Sequence, residues 1–256
     1  MEPGITNSDL KQVNRISALE RQIEDAWHDL LKNSSFVSGI RSGDFDPRLF
    51  GIYLLETYQY TSHNARNQAI AGARTLDRDP SYLKFCFEHA AEETGHELMA
   101  LHDFSALGFE RESIDNLPAP LPATEILIAY LYWISFQGNT VQRLGYSYWA
   151  ENCYRYINPL IKSVQSQLGL KDNQLTFFIA HGSIDVVHAR EVVKVLDHHC
   201  KTDADWKAVE RVMLTSLRLT GNMLEEVWNA FQDLRDAKPS PYTFLSLPVG
   251  SLVTSG

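Results

Sequence analysis

The sequence predicts an all-α protein, a single-domain bundle of six or seven helices. Three observations carry this. Apolar residues recur at helical spacing through nearly the whole chain, strand-like alternation is almost absent, and proline or glycine stands at the ends of the long periodic segments.

The first helix is expected from Ser8 to about Leu31, with Asn7 or Ser8 as its cap. Asp46-Pro47 opens a second, running through "LFGIYLLETYQYTSHNARNQAIAGART", because proline suits the first helical turn. A third begins near Pro80 and continues to Gly108. The proline-rich "LPAPLPATE" breaks the chain, and the stretch from Ile126 to Leu168 reads as one long helix or two, kinked at Gly138 or Gly145. Asp172-Asn173 is expected to cap the next helix, which ends near His199, and a last one spans Asp203 to about Leu234. The tail, residues 237–256, is expected to be extended and docked by Phe244, Leu245, Leu247 and Val249.

At 256 residues the chain can bury a substantial core. The net charge of −9 argues against a nucleic-acid binder, whose footprint would be basic. No apolar run approaches the roughly 18 residues of a membrane span, and the N-terminus lacks the basic-then-apolar pattern of a signal peptide. Cys86, Cys153 and Cys200 have no metal-type spacing, which suits a reduced, cytoplasmic protein.

Chemistry concentrates in three places. In "HGSIDVVHAR", His181, Asp185 and His188 project within about 60° of one another on one helical stripe. Buried ionisable groups so placed need partners, water or a metal. His89, Glu92, Glu93, His96 and Glu97 crowd into the third helix, and positions 89, 93 and 96 repeat the same spacing. Both Glu92 and Glu93 lie one turn from His96, so geometry does not choose between them. Glu151 stands beside Tyr148, Trp149 and Ala150, and Glu56 is similarly set in "YLLETYQY". Carboxylates and imidazoles projecting inward from several long helices are how bundles build di-iron or di-manganese sites. Glu93, His96, Glu151, His181, Asp185 and His188 supply six ligands of that kind, which suit non-haem iron best and manganese second. Tyr58, Tyr60, Tyr130, Tyr132, Trp133 and Tyr148 are candidate pocket aromatics.

These motifs carry a resemblance. "EHAAEETGHELMALHDFSALG" resembles the "EExxH…L…D…LG" signature of the iron-containing redox enzymes with a haem-oxygenase-like fold, relatives of TenA, PqqC and CADD. "RLGYSYWAEN" and "HGSIDVVH" resemble that family's next two ligand segments, and the likeness covers about residues 46–235. The resemblance implies a TenA/PqqC-like helical fold, two non-haem iron ions and O2 as co-substrate. It implies oxidation of a small substrate such as an amino acid or fatty acid, by N-hydroxylation, C–C cleavage or decarboxylation. It also implies His96, Glu151, His181, Asp185 and His188 as ligands, and pairing into a homodimer. Several members place the remaining carboxylate seven residues before the histidine of the third helix, where this chain has His89; others place it three before, at Glu93. Either His89, Glu56 or Glu92 could therefore complete the site instead.

Three readings compete. A metal-independent enzyme of this fold would be PqqC-like, oxidising its substrate without metal, or TenA-like, with a cysteine nucleophile for which Cys153 is the candidate, although "ENCYRY" does not match the TenA cysteine segment. A non-catalytic helical binding protein would carry these clusters as ordinary salt-bridged faces. A haem-degrading enzyme would need an early histidine, and His28 is the one available.

Overall fold

The computed structural model describes residues 7–43, 45–75, 79–109 and 117–245; the side chains of 7–13 and 180–186 lie outside the description. Eleven α-helices and no strand occur among the described residues. They are α1 (Asn7–Asn33), α2 (Ser35–Arg41), α3 (Pro47–Thr61), α4 (Asn64–Ala73), α5 (Pro80–Glu92), α6 (Glu97–Ala106), α7 (Pro122–Phe136), α8 (Leu144–Ala150), α9 (Tyr154–Leu168), α10 (Thr176–His199) and α11 (Asp203–Arg235).

The all-α class holds, but the helices are more numerous and shorter than the periodicity predicts. The second predicted helix divides into α3 and α4, and the third into α5 and α6. The stretch from Ile126 to Leu168 is broken twice, after Phe136 and again at 151–153. The breaks at 62–63, 93–96 and 151–153 are short turns, whereas the one after Phe136 runs through extended residues and a 3-10 helix, Thr140–Arg143. Gly138 and Gly95 adopt φ of +76° and +96°, a region that L side chains rarely enter. Gly145 instead lies within α8.

Where the termini were legible, local chemistry explains them. The Asp46 carboxylate accepts the Arg48 N–H at 2.9 Å ahead of Pro47, and Asp79 accepts the Tyr82 N–H at 3.1 Å ahead of Pro80. Thr202 and Asp205 form a reciprocal capping box at the start of α11. The cap of α10 differs from expectation. Residues 172–174 form a separate 3-10 turn, and α10 begins at Thr176.

The 33-residue helix α11 packs against α1, α2, α3, α7 and α8. Val209, Val212, Met213 and Val227 on it are fully buried. A Cβ on Gly145 would stand 2.2 Å from the Val209 carbonyl oxygen, so α8 lies directly on the α11 backbone. That contact sets the position of Glu151, the residue after α8. As far as residue 245 the tail lies on the core: Tyr242 and Leu245 are fully buried, Phe244 packs on the core, and Thr243–Leu245 form a 3-10 turn. Leu247 and Val249 lie outside the described residues. No helix among the described residues is long and apolar enough to cross a membrane.

Candidate metal centre

Three elements bring His89, Glu151 and His188 together. His89 lies in the last turn of α5, Glu151 in the turn that ends α8, and His188 in the middle of α10. All three are buried, and one donor atom from each lies within 4.8 Å of the others. His89 Nε2 stands 3.4 Å from Glu151 Oε1, and His188 Nδ1 stands 3.4 Å from Glu151 Oε2. The two imidazole rings meet edge to face at 5.5 Å.

Glu92 Oε2 is 3.4 Å from His188 Nε2, on a half-exposed side chain at the rim. Glu93 and His96 occupy the turn between α5 and α6, where Glu93 Oε1 is 3.3 Å from His96 Nδ1 and both side chains are largely buried. The positive φ of Gly95 closes that turn. The α10 helix runs unbroken through His181 and Asp185, but their side chains lie outside the described residues. The structure thus joins His89 to Glu151 and His188, and sets Glu92, Glu93 and His96 beside them.

Glu56 goes elsewhere. Fully buried on α3, it accepts the Leu121 N–H at 3.0 Å and the Tyr242 hydroxyl at 2.6 Å, tying the tail to the core. Burial raises its pKa above the usual carboxylate range despite hydrogen bonds that pull it down.

The cluster is electrostatically coupled. Burial pushes the Glu151 carboxyl up, but His188 and His89 more than reverse this and bring it down to about 2. The adjacent Glu151 carboxylate raises His188 to about 9, against the opposing effect of burial. Burial likewise works against ionisation of Glu93, and His96 draws it below the ordinary value.

The donor set fits a transition metal. Two imidazoles and one carboxylate, all buried, converge within 4.8 Å, with the carboxylate facing both rings at 3.4 Å. Imidazole and carboxylate without thiolate are ligands that iron and manganese accept.

Asp103, the aspartate of the "HDFSALG" stretch, had no role assigned from sequence. It is fully buried on α6 and accepts the Thr176 N–H and hydroxyl, both at 2.7 Å, and the Phe177 N–H at 2.9 Å. It is the N-terminal cap of α10, supplied by another helix in place of Asp172 or Asn173. Its spacing to the cluster in sequence gave no sign of this, because the donors lie in a distant segment.

A narrow cavity of about 120 Å³ opens from the centre. Glu93, His96 and Glu151 line it together with Tyr60, Asn64 and Tyr146. Of the six aromatics picked from sequence only Tyr60 takes part; Trp133 is half exposed and Tyr148 is buried in other packing. Trp27, Tyr53, Tyr146 and Trp149 line the cavity instead. His28 is exposed on α1.

Residues 52–220 match the family described as iron-containing redox enzyme. A solved domain of unknown function with a haem-oxygenase-like fold from Shewanella denitrificans is 50% identical, with a TM-score of 0.85 over 88% of this chain and 97% of that one. A TenA homologue from P. horikoshii shares the fold at 15% identity, with a TM-score of 0.64 over 84% of this chain and 98% of that one. A TenA family transcription regulator from Silicibacter sp. does so at 13% identity, with a TM-score of 0.64 over 83% and 96%. No curated protein matches the chain significantly. With the match spanning α3 to α11 and every described part of the centre, the chain belongs to the iron-containing redox enzyme family and has the haem-oxygenase-like fold.

Proposed function

We propose that this protein is a non-haem di-iron oxidase or oxygenase that uses O2 to oxidise a small molecule. The observation that carries the reading is the buried His89–Glu151–His188 cluster, whose donor atoms converge within 4.8 Å. His89, Glu151 and His188 would hold one ion. Glu93 and His96 in the neighbouring turn, with His181 and Asp185 earlier on the His188 helix, would complete a second position, and Glu92 stands at its rim. Iron suits this donor set best and manganese second. When bound, the metal supplies oxygen binding and electron transfer.

The chain's own residues do the rest. Glu151 turns one carboxylate oxygen toward each histidine, so its charge faces both imidazoles of the cluster. The Glu151 carboxylate favours the protonated form of His188, which would have to give up that proton to serve as a ligand. The aromatic and aliphatic cavity walls exclude water from the space beside the centre.

Anaerobic loading with Fe(II), metal counting and exposure to oxygen test this. Two irons per chain and an oxygen-dependent change in absorbance are expected, both lost in His188→Ala. Trace iron only, with His188→Ala indistinguishable from the parent, would refute the reading.

One observation favours a metal-independent alternative: Cys153 lines the same cavity, two residues from Glu151. Replacing it by alanine separates the two, since iron loading and oxygen consumption would survive that change and thiol chemistry would not.

A further inference from the structure

Trp149 lies in the last turn of α8, two residues before Glu151, and lines the cavity beside the centre. Its indole meets that of Trp27 on α1 edge to face at 5.9 Å. Trp27 in turn stacks on Tyr156 of α9 at 5.5 Å, with the rings 14° apart. Centroid separations this short belong to rings in contact. Both tryptophans are buried, whereas Tyr156 is partly exposed and lies outside the cavity wall. The three rings thus make a continuous row from the cavity to the surface.

The composition of the row matters. A strong one-electron oxidant takes electrons from tryptophan and tyrosine, while phenylalanine is far harder to oxidise. Tyr53 and Tyr154 stand on the same cavity wall, but among the described residues their ring contacts run to Phe36, Phe50 and Phe178. Those contacts lead an electron vacancy nowhere.

The neighbours of each ring set a direction. Tyr146 also touches Trp149, at 5.3 Å, but the Arg143 guanidinium stands 4.3 Å from the centre of the Tyr146 ring. Positive charge so close opposes electron loss. Arg143 is buried and its hydrogen-bond partners, Asn67 and Ser147, are neutral. A tyrosine sheds its phenol proton when it loses an electron, and the Tyr146 hydroxyl donates only to the Asn64 amide oxygen, at 3.2 Å, a poor base. Neither indole has a base either: the Trp149 N–H donates to Ser216 Oγ at 2.7 Å, and the Trp27 N–H has no partner among the described residues. At Tyr156 water can take the proton. Arg155 stands 5.8 Å from that ring, but Glu20 offsets its charge at 2.7 Å.

We propose that Trp149, Trp27 and Tyr156 form an electron-transfer row that drains a one-electron oxidant from the cavity to the surface. The inference rests on the di-iron reading above, which supplies the oxidant: a partly reduced oxygen species left in the cavity when no substrate consumes it. That species gains one electron from Trp149. Trp27 refills Trp149, Tyr156 refills Trp27, and Tyr156 releases its phenol proton to water. A one-electron donor in solution, of the ascorbate or thiol class, then reduces the tyrosyl radical, and water returns the proton. The net change is one electron moved from donor to oxidant, with every ring restored.

Three tryptophan–tyrosine contacts occur among the described residues: Trp27–Tyr156, Trp149–Tyr146 and Trp133–Tyr130. Trp133→Phe, at an exposed position, removes the last and is the background for the test. The metal-free protein is photo-ionised by an ultraviolet flash in oxygen-free buffer with an electron scavenger, and tryptophanyl and tyrosyl radicals are followed by absorbance. Tryptophanyl should decay into tyrosyl at a rate independent of protein concentration. Tyr156→Phe should abolish most of that tyrosyl signal, and Tyr146→Phe should leave it unchanged. Absence of tyrosyl would overturn the proposal, as would a loss in Tyr146→Phe as large as that in Tyr156→Phe. If Tyr146→Phe fails to fold by circular dichroism, the partly exposed Tyr156→Phe decides. In iron-loaded protein held in oxygen without substrate, Tyr156→Phe should raise the oxidation of Trp27 and Trp149 in peptide mass maps; equal oxidation would refute the draining role. Iron loading without tryptophan-to-tyrosine transfer rejects the row alone; transfer without iron loading rejects the di-iron oxidant and keeps the path.

Discussion

Asp103 of α6 holds Thr176 of α10 by two hydrogen bonds of 2.7 Å, to its N–H and to its hydroxyl. The start of the helix that carries His181, Asp185 and His188 is thus fastened by a side chain from the helix that follows His96. A single buried carboxylate ties together two of the segments that build the centre.

Asp103→Ala removes this cap and leaves buried donors unpaired. A loss of about 2–4 kcal/mol is expected, read as a lower unfolding midpoint in urea. Iron affinity should fall with it, because α10 loses its fixed start. Unchanged stability would mean that the cap is made good by water.

Glu151→Gln keeps the shape of the side chain but removes the charge that faces both histidines. Iron affinity should drop by at least about 100-fold, beyond the 10–100-fold typical of residues that only support ligands. Metal counting after anaerobic loading and desalting checks it. Retention of two irons per chain would remove Glu151 from the ligand set.

Glu56→Gln distinguishes a buried structural carboxylate from a ligand. The folded-state pKa of Glu56 lies above its unfolded value, so its favourable contribution is complete at pH below the unfolded value and is lost as pH rises through the folded one. A glutamine can still accept the Leu121 N–H and meet the Tyr242 hydroxyl without ionising. The variant should therefore gain in stability relative to the parent as pH is raised from about 5 to 8, with iron content unchanged. Lost iron would return Glu56 to the centre.

Gly95→Ala tests the turn that seats Glu93 and His96. Nothing lies within 4 Å of the added Cβ, so the cost is that of the positive φ alone, about 1–2 kcal/mol. A Tm lower by a few degrees with weakened iron binding is the expected pair of results.

Gly145→Ala meets a different obstacle, the backbone of α11. Separation of α8 from α11 should cost at least about 3 kcal/mol and displace Glu151. A chemical-denaturation curve superimposable on the parent's would show that the two helices slide apart freely.

The sequence by itself determined the helical class, the capped starts at Asp46-Pro47 and Pro80, and the three stretches in which ligand-type residues concentrate. These rest on local chemistry: apolar spacing, proline at the first turn, and acids and imidazoles one turn apart. Only the tertiary structure decided the rest. The turns at 93–96 and 151–153 leave the apolar spacing in register, so a periodic pattern runs straight through them and hides the breaks that place Glu93, His96 and Glu151. His89, an anomaly in the third segment's pattern, gains meaning from Glu151 on a different helix, and Glu56 is claimed by Tyr242 from the far end of the chain. The donor capped by Asp103 lies 73 residues along the chain. Spacing along a helix constrains which side chains share a face; which other face they meet is set by packing between distant segments, and that information is not local.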